Sequence, residues 1–80
     1  MKWSVEEHSQ EYGNGNSGLF ETFGQAFNAV KLKYKIFDVD TIYNIEALHY
    51  YWENPTTFQI EIDGVLPNLI NAITIRKSLQ

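Results

Sequence analysis

Phe20, Phe23, Phe27, Val30, Tyr34 and Phe37 recur at intervals of three and four residues, the spacing of one face of a helix. Two starts compete for that helix. With Ser17 as the cap, Phe20 joins it; with Thr22 as the cap, Gln25 three residues later completes a capping box. The second start places Gly24 in the first turn, where it costs less than in a helix interior, and frees Leu19 to Glu21 for a short return strand. We therefore expect a helix from about Phe23 to Ile36, or about 22–36 with its cap. Phe23, Phe27, Val30 and Tyr34 point inward, and Ala26 and Ala29 allow close approach. Lys31, Lys33 and Lys35 fall at the negative end of the helix dipole.

On either side of this helix the pattern changes to a period of two. Residues 2–9 alternate, with Trp3 and Val5 on one side and Lys2, Ser4, Glu6 and His8 on the other, as in a strand with one solvated face. Tyr12 to Gly18 is rich in Gly and Asn, and the chain is expected to turn there in a mobile loop. Asp38-Val39-Asp40 breaks the helical pattern. Thr41 to Trp52 reads either as a helix capped by Asp40 or as a strand from about Ile45 to Trp52. The strand is preferred, because Glu53-Asn54-Pro55-Thr56 is a turn sequence and Thr57 to Ile62 alternates as its return, with Phe58, Ile60 and Ile62 facing the helix. Asp63-Gly64 is expected to end it. In the tail, Pro67 opens a helix grouping Leu69, Ile70 and Ile73, or Ala72 to Lys77 forms a final strand. The expected fold is one α+β domain spanning 1–80: a small antiparallel sheet of three or four strands packed against one main amphipathic helix.

Composition narrows the class. A chain of 80 residues buries only about 60% of the surface its unfolded form exposes, so large side chains must carry its stability. Two Trp, five Tyr and five Phe supply them. With no cysteine, no disulfide framework assists, which fits a reducing cytoplasm. The opening Met1-Lys2-Trp3-Ser4-Val5-Glu6-Glu7 turns acidic before any apolar run, unlike a signal peptide, and no stretch approaches a membrane span. Ten acidic against six basic side chains give a net charge of −4, and three of the basic ones, Lys31, Lys33 and Lys35, cluster. Most of the surface would therefore repel nucleic acid and attract a basic protein patch.

Candidate chemistry is sparse. Gly13-Asn14-Gly15-Asn16-Ser17-Gly18 matches Gly-x-Gly-x-x-Gly, with Asp38 twenty residues beyond the last Gly, the spacing of a dinucleotide fingerprint. The preceding strand is too polar for a buried parallel sheet and the chain too short for two mononucleotide halves, so a flexible turn is the reading. Asp38 and Asp40, with a histidine, would make a divalent-metal or small-ligand site, and Glu61 and Asp63 would have to converge with them for a full oxygen shell. His8 and His49 are the groups suited to acid–base work at neutral pH, but no nucleophile or orienting carboxylate is evident beside them, and His49 is expected to pack among Tyr50, Tyr51 and Trp52. No catalytic residue, resident metal or cofactor is assigned.

The run His49-Tyr50-Tyr51-Trp52 carries the main functional hint, because consecutive residues cannot all enter one core, and exposed Tyr and Trp are the side chains that dominate interfaces. Short, acidic, cysteine-free and rich in Asn, Ile, Tyr and Phe, the chain resembles in style the small accessory proteins of bacteriophages and mobile elements; an acidic inhibitor or accessory protein is the expectation, and the resemblance implies no residue roles. The expectation is a non-enzymatic, cytoplasmic protein-binding module that occupies a basic or nucleic-acid-binding surface of a partner, without contacting nucleic acid or membrane itself. Glu6, Glu7, Glu11, Glu46 and Glu53 would steer the encounter, and Tyr50, Tyr51 and Trp52 would hold it. The alternatives are the ligand site on Asp38 and Asp40 and a homo-oligomer closed by the aromatics.

Overall fold

The computed structural model describes residues 2–34, 44–66 and 69–78, with the backbone alone at 44–48 and 64–66. In chain order the elements are β1 (Trp3–Ser9), β2 (Gly13–Phe20), α1 (Phe23–Tyr34), β3 (Asn44–Asn54), β4 (Thr57–Leu66) and β5 (Ile70–Lys77). The strands form one antiparallel sheet in the order β2-β1-β5-β4-β3. A β1–β2 hairpin and a β3–β4–β5 meander are thus joined twice, by α1 along the chain and by the pairing of the first and last strands in the sheet interior.

The fold class is α+β as expected, but the sheet has five strands rather than three or four. The Gly- and Asn-rich stretch accounts for part of the difference. It is not a loop: Gly13 to Phe20 pairs along β1 from Ser9↔Gly13 to Trp3↔Phe20, with one irregularity between Val5 and Glu6. A ladder uses only backbone groups, so weak strand formers are carried by the strand beside them. The turn is confined to Gln10, Glu11 and Tyr12, where the Ser9 hydroxyl accepts hydrogen bonds from the amides of Glu11 (3.2 Å) and Tyr12 (3.1 Å), and Gly13 re-enters the sheet at φ +84°.

Thr22 caps the helix as expected. Its hydroxyl accepts from the Gln25 amide at 3.1 Å, and the Gln25 side chain returns to the amide of Glu21 at 3.1 Å. The described helix ends at Tyr34; Lys35 and Ile36 lie outside the described residues, as do Phe37, Asp38, Asp40 and Pro67. Ala26, Val30 and Tyr34 are buried on the sheet, with Phe23 and Phe27 partly buried against the same core.

The segment with two readings, Thr41 to Trp52, is strand from Asn44 onward and extends to Asn54. Asp63-Gly64 does not end β4, because the ladder with β3 continues through Ile45↔Gly64 and Asn44↔Val65. The tail is strand from Ile70, not a helix grouping Leu69, Ile70 and Ile73. Ile73 and Ile75 are fully buried, a period of two that suits a sheet face.

Two rows of residues cross the sheet beneath α1. One runs Val5, Ile75, Phe58, Trp52; the other runs Glu7, Ile73, Ile60, Tyr50. Ile60 and Ile73 are 0% exposed, so the core centres where these rows meet the helix. Glu7 is the charged member of an otherwise apolar and aromatic row.

Candidate interaction surface

Period-two alternation sends the neighbouring residues of each strand to the opposite side, which α1 does not cover. There Glu6, Thr74, Gln59 and Tyr51 form one row, and His8, Ala72, Glu61 and His49 the next. The side chains are joined by hydrogen bonds. Thr74 Oγ1 donates to Gln59 Oε1 at 2.7 Å and stands 2.8 Å from His8 Nε2; with its proton given to Gln59, Thr74 can only accept from His8, which places the imidazole proton on Nε2. Gln59 Nε2 donates to Glu53 at 3.5 Å, and the Tyr51 phenol donates to Glu61 at 2.8 Å. Among the described residues no buried side-chain nitrogen or oxygen lacks a hydrogen-bond partner.

The electrostatics of the two sides differ. Glu6, Glu53, Glu61 and Asp63 lie on the uncovered face, where Arg76 is paired with Glu6 at 3.2 Å. Lys31 and Lys33 lie on α1, with Lys31 over the Phe27 ring at 5.5 Å and Lys33 bonded to Glu7 at 2.6 Å. Hydrogen bonding to Glu61, assisted by desolvation and by the charges of Glu61 and Glu53, holds the Tyr51 phenol above its usual pKa, because ionisation would remove the donated proton and set a phenolate beside carboxylates.

The structure separates the candidate partner-binding residues into groups. Glu6, Tyr51 and Glu53 lie on the uncovered face. Tyr50 and Trp52 lie on the helix side of β3, at the margin of the core: Trp52 packs against Phe58 and Phe23 with ring centroids 5.1 and 4.7 Å apart, and Tyr50 against Phe58 at 6.4 Å. All three aromatics remain exposed, Tyr50 by 56%, Tyr51 by 44% and Trp52 by 48%. His49, expected among the aromatics, is exposed in the row with Glu61. Glu11 sits exposed at the hairpin tip, and the side chain of Glu46 lies outside the described residues.

Glu7 stands apart from that group. Its side chain is 13% exposed, facing α1, with Lys33 on one carboxylate oxygen and the Tyr34 phenol on the other. Burial pushes its pKa up, but hydrogen bonds from Lys33, Tyr34 and Ser17 outweigh this and leave the carboxyl below its usual range. A groove of about 440 Å³ beside the β1–β2 hairpin tip, walled by Tyr12, Gly15 and Ile70, includes this committed carboxylate.

Gln59, Glu61, Thr74 and His8 were not singled out for the surface from the sequence. The alternation of Gln59, Glu61 and Asp63 against Phe58, Ile60 and Ile62 was the available signal. The partnership with Thr74 and His8 was not readable, because it joins strands more than ten residues apart.

The metal-site alternative is reduced to what can be placed. Asp38 and Asp40 lie outside the described residues. His8 and His49 stand at opposite ends of one row, three strand spacings or roughly 14 Å apart. Among the described residues no group of three or more His, Cys, Asp or Glu side chains could hold a metal ion, and no helix is long and apolar enough to cross a membrane. Compared with known proteins, the chain matches no family model, no curated protein and no solved structure.

Proposed function

We propose that the protein is a non-enzymatic, cytoplasmic protein-binding module, an accessory or inhibitory protein that occupies a basic surface of a partner with the uncovered face of its sheet. The observation that carries the reading is the gathering of Glu53, Glu61 and Asp63 beside exposed Tyr51 on that face, while Lys31 and Lys33 are kept on the helix side. Carboxylates on one face of a sheet steer a cationic partner over a Debye length of about 8 Å at physiological salt. The aromatic at the strand edge then supplies contact area with little loss of side-chain freedom. A basic nucleic-acid-binding surface is the partner type this pattern fits, through competition with the polyanion it normally holds.

The experiment compares the wild type with the triple variant Glu53→Gln, Glu61→Gln, Asp63→Asn and with Lys31→Gln as a control on the other side. Binding is measured to immobilised polylysine and to basic proteins captured from lysate, at low and high salt. The reading requires salt-sensitive capture that the triple variant loses and Lys31→Gln keeps. Equal capture by the wild type and the triple variant would sink it.

A further inference from the structure

Among the described residues, β2 and β3 are the outer strands of the sheet. β2 presents Gly, Asn and Ser, carries an irregularity opposite Val5 and Glu6, and lies against α1. β3 is 11 residues long; its register against β4 shifts between Ile45 and Ala47 and between Trp52 and Asn54, leaving Ala47 to Trp52 regularly paired, and Asn44 to Asn54 contains neither Pro nor Lys, the residues that commonly blunt an edge against further pairing. Every second residue of such a strand turns its backbone donor and acceptor outward. On its helix side β3 shows Tyr50 and Trp52, and on its other side His49, Tyr51 and Glu53, with Glu61 and Asp63 on the adjacent strand.

We propose that the outer edge of β3 takes up an extended segment of the partner as an added strand, and that this segment alternates apolar with basic side chains. The proposal rests on the acidic-face reading above and names how the partner docks. Adding a strand extends both faces at once. Side chains of the segment on the helix side meet Trp52 and Tyr50 and continue the aromatic margin of the core. Those on the opposite side stand about 4.8 Å from the β3 row, where Lys or Arg reaches Glu53 and leans toward Glu61. Backbone hydrogen bonds supply affinity, and the alternation supplies selectivity. The competing occupant is a second copy, pairing β3 with β3 antiparallel about Tyr50. That arrangement sets two acidic faces side by side in chains of net charge −4 each, so charge favours the basic segment.

The test uses the full chain and nine-residue synthetic peptides, with binding read by calorimetry at two salt concentrations and self-association by sedimentation. The peptides are an alternating Val/Lys sequence, its scramble, the same sequence with alternate amides N-methylated, and a Val/Ser version. The expected result is binding of the Val/Lys peptide to a monomer, weaker by roughly tenfold or more for the scrambled and N-methylated forms, which lose several backbone hydrogen bonds. Glu53→Lys should weaken the Val/Lys peptide and spare the Val/Ser one. If the scrambled and N-methylated peptides bind as tightly as the parent, the edge is not the site, although the acidic-face reading survives. If the Val/Ser peptide binds as well as Val/Lys and independently of salt, the basic pattern is wrong and the acidic-face reading fails with it. A chain that is dimeric and binds no peptide assigns the edge to a second copy and overturns the proposal.

Discussion

The Tyr34 phenol donates a hydrogen bond to the Glu7 carboxylate, tying the end of α1 to β1 on the side of the sheet that is otherwise core. Lys33 holds the other oxygen at 2.6 Å. A carboxylate in the row of Ile73 and beside Val5 would be costly without such partners, so the pair fixes how this part of the helix lies over the sheet. Tyr34→Phe, which removes only the donor, should destabilise the fold by about 1–3 kcal/mol, and Glu7→Gln by a similar amount. Urea unfolding at neutral pH checks both, and no change in either variant would refute the role.

The same carboxylate makes stability depend on pH. Its pKa is lowered on folding, so its contribution is fully present above the unfolded value, near 4.5, and is lost as pH falls below that through the folded pKa. The stability gap between wild type and Glu7→Gln should therefore be widest near pH 6 to 7 and narrow progressively below about 4.5. A gap that stays constant down to pH 2.5 would show that the ionised form is not what the helix recognises.

At the start of the helix two substitutions should act in opposite directions. Thr22→Ala removes the oxygen that accepts the Gln25 amide and should cost about 1 kcal/mol. Gly24→Ala should gain about 0.5 kcal/mol, because a Cβ there meets nothing closer than Thr22 Oγ1 at 3.9 Å and the unfolded chain loses freedom. Thermal melts of the two variants and the double variant measure the signs.

Gly13 is required by its backbone and not by space. At φ +84° it has no atom within 4 Å of a would-be Cβ, so Gly13→Ala should destabilise the hairpin by about 1 kcal/mol through strain alone. Gly15, with equally open surroundings and no positive φ, is the control: Gly15→Ala should be neutral or slightly stabilising.

On the uncovered face, spectrophotometric titration should find the Tyr51 phenol ionising above the usual value of 10.0. Glu61→Gln should bring it down, because the hydrogen bond to Glu61 is the largest cause. A Tyr51 transition unchanged by Glu61→Gln would mean that the two side chains do not meet in solution.

The helix was legible because its causes are local: the Thr22 and Gln25 cap and the Phe23, Phe27, Val30, Tyr34 spacing lie within one short segment. The same holds for the alternation that put Phe58, Ile60 and Ile62 on the core side, and for the outward demand on Tyr50, Tyr51 and Trp52. Only the end of β2, Leu19 and Phe20, was legible as a return strand; Gly13 to Gly18 was missed because Gly and Asn have little preference for sheets, and its structure comes from the neighbouring β1 backbone. Glu7 looked like a surface acid beside Glu6, since nothing short of the helix lying over β1 shows that Lys33 and Tyr34 reach it. The sequence alone determined which residues alternate and which repeat by turns, because side-chain burial sets those periods. Tertiary structure alone decided that β1 pairs with β5, that Glu6, Thr74, Gln59 and Tyr51 share a row, and that β3 is an outer strand among the described residues, because strand pairing is made by backbone groups that every sequence carries alike.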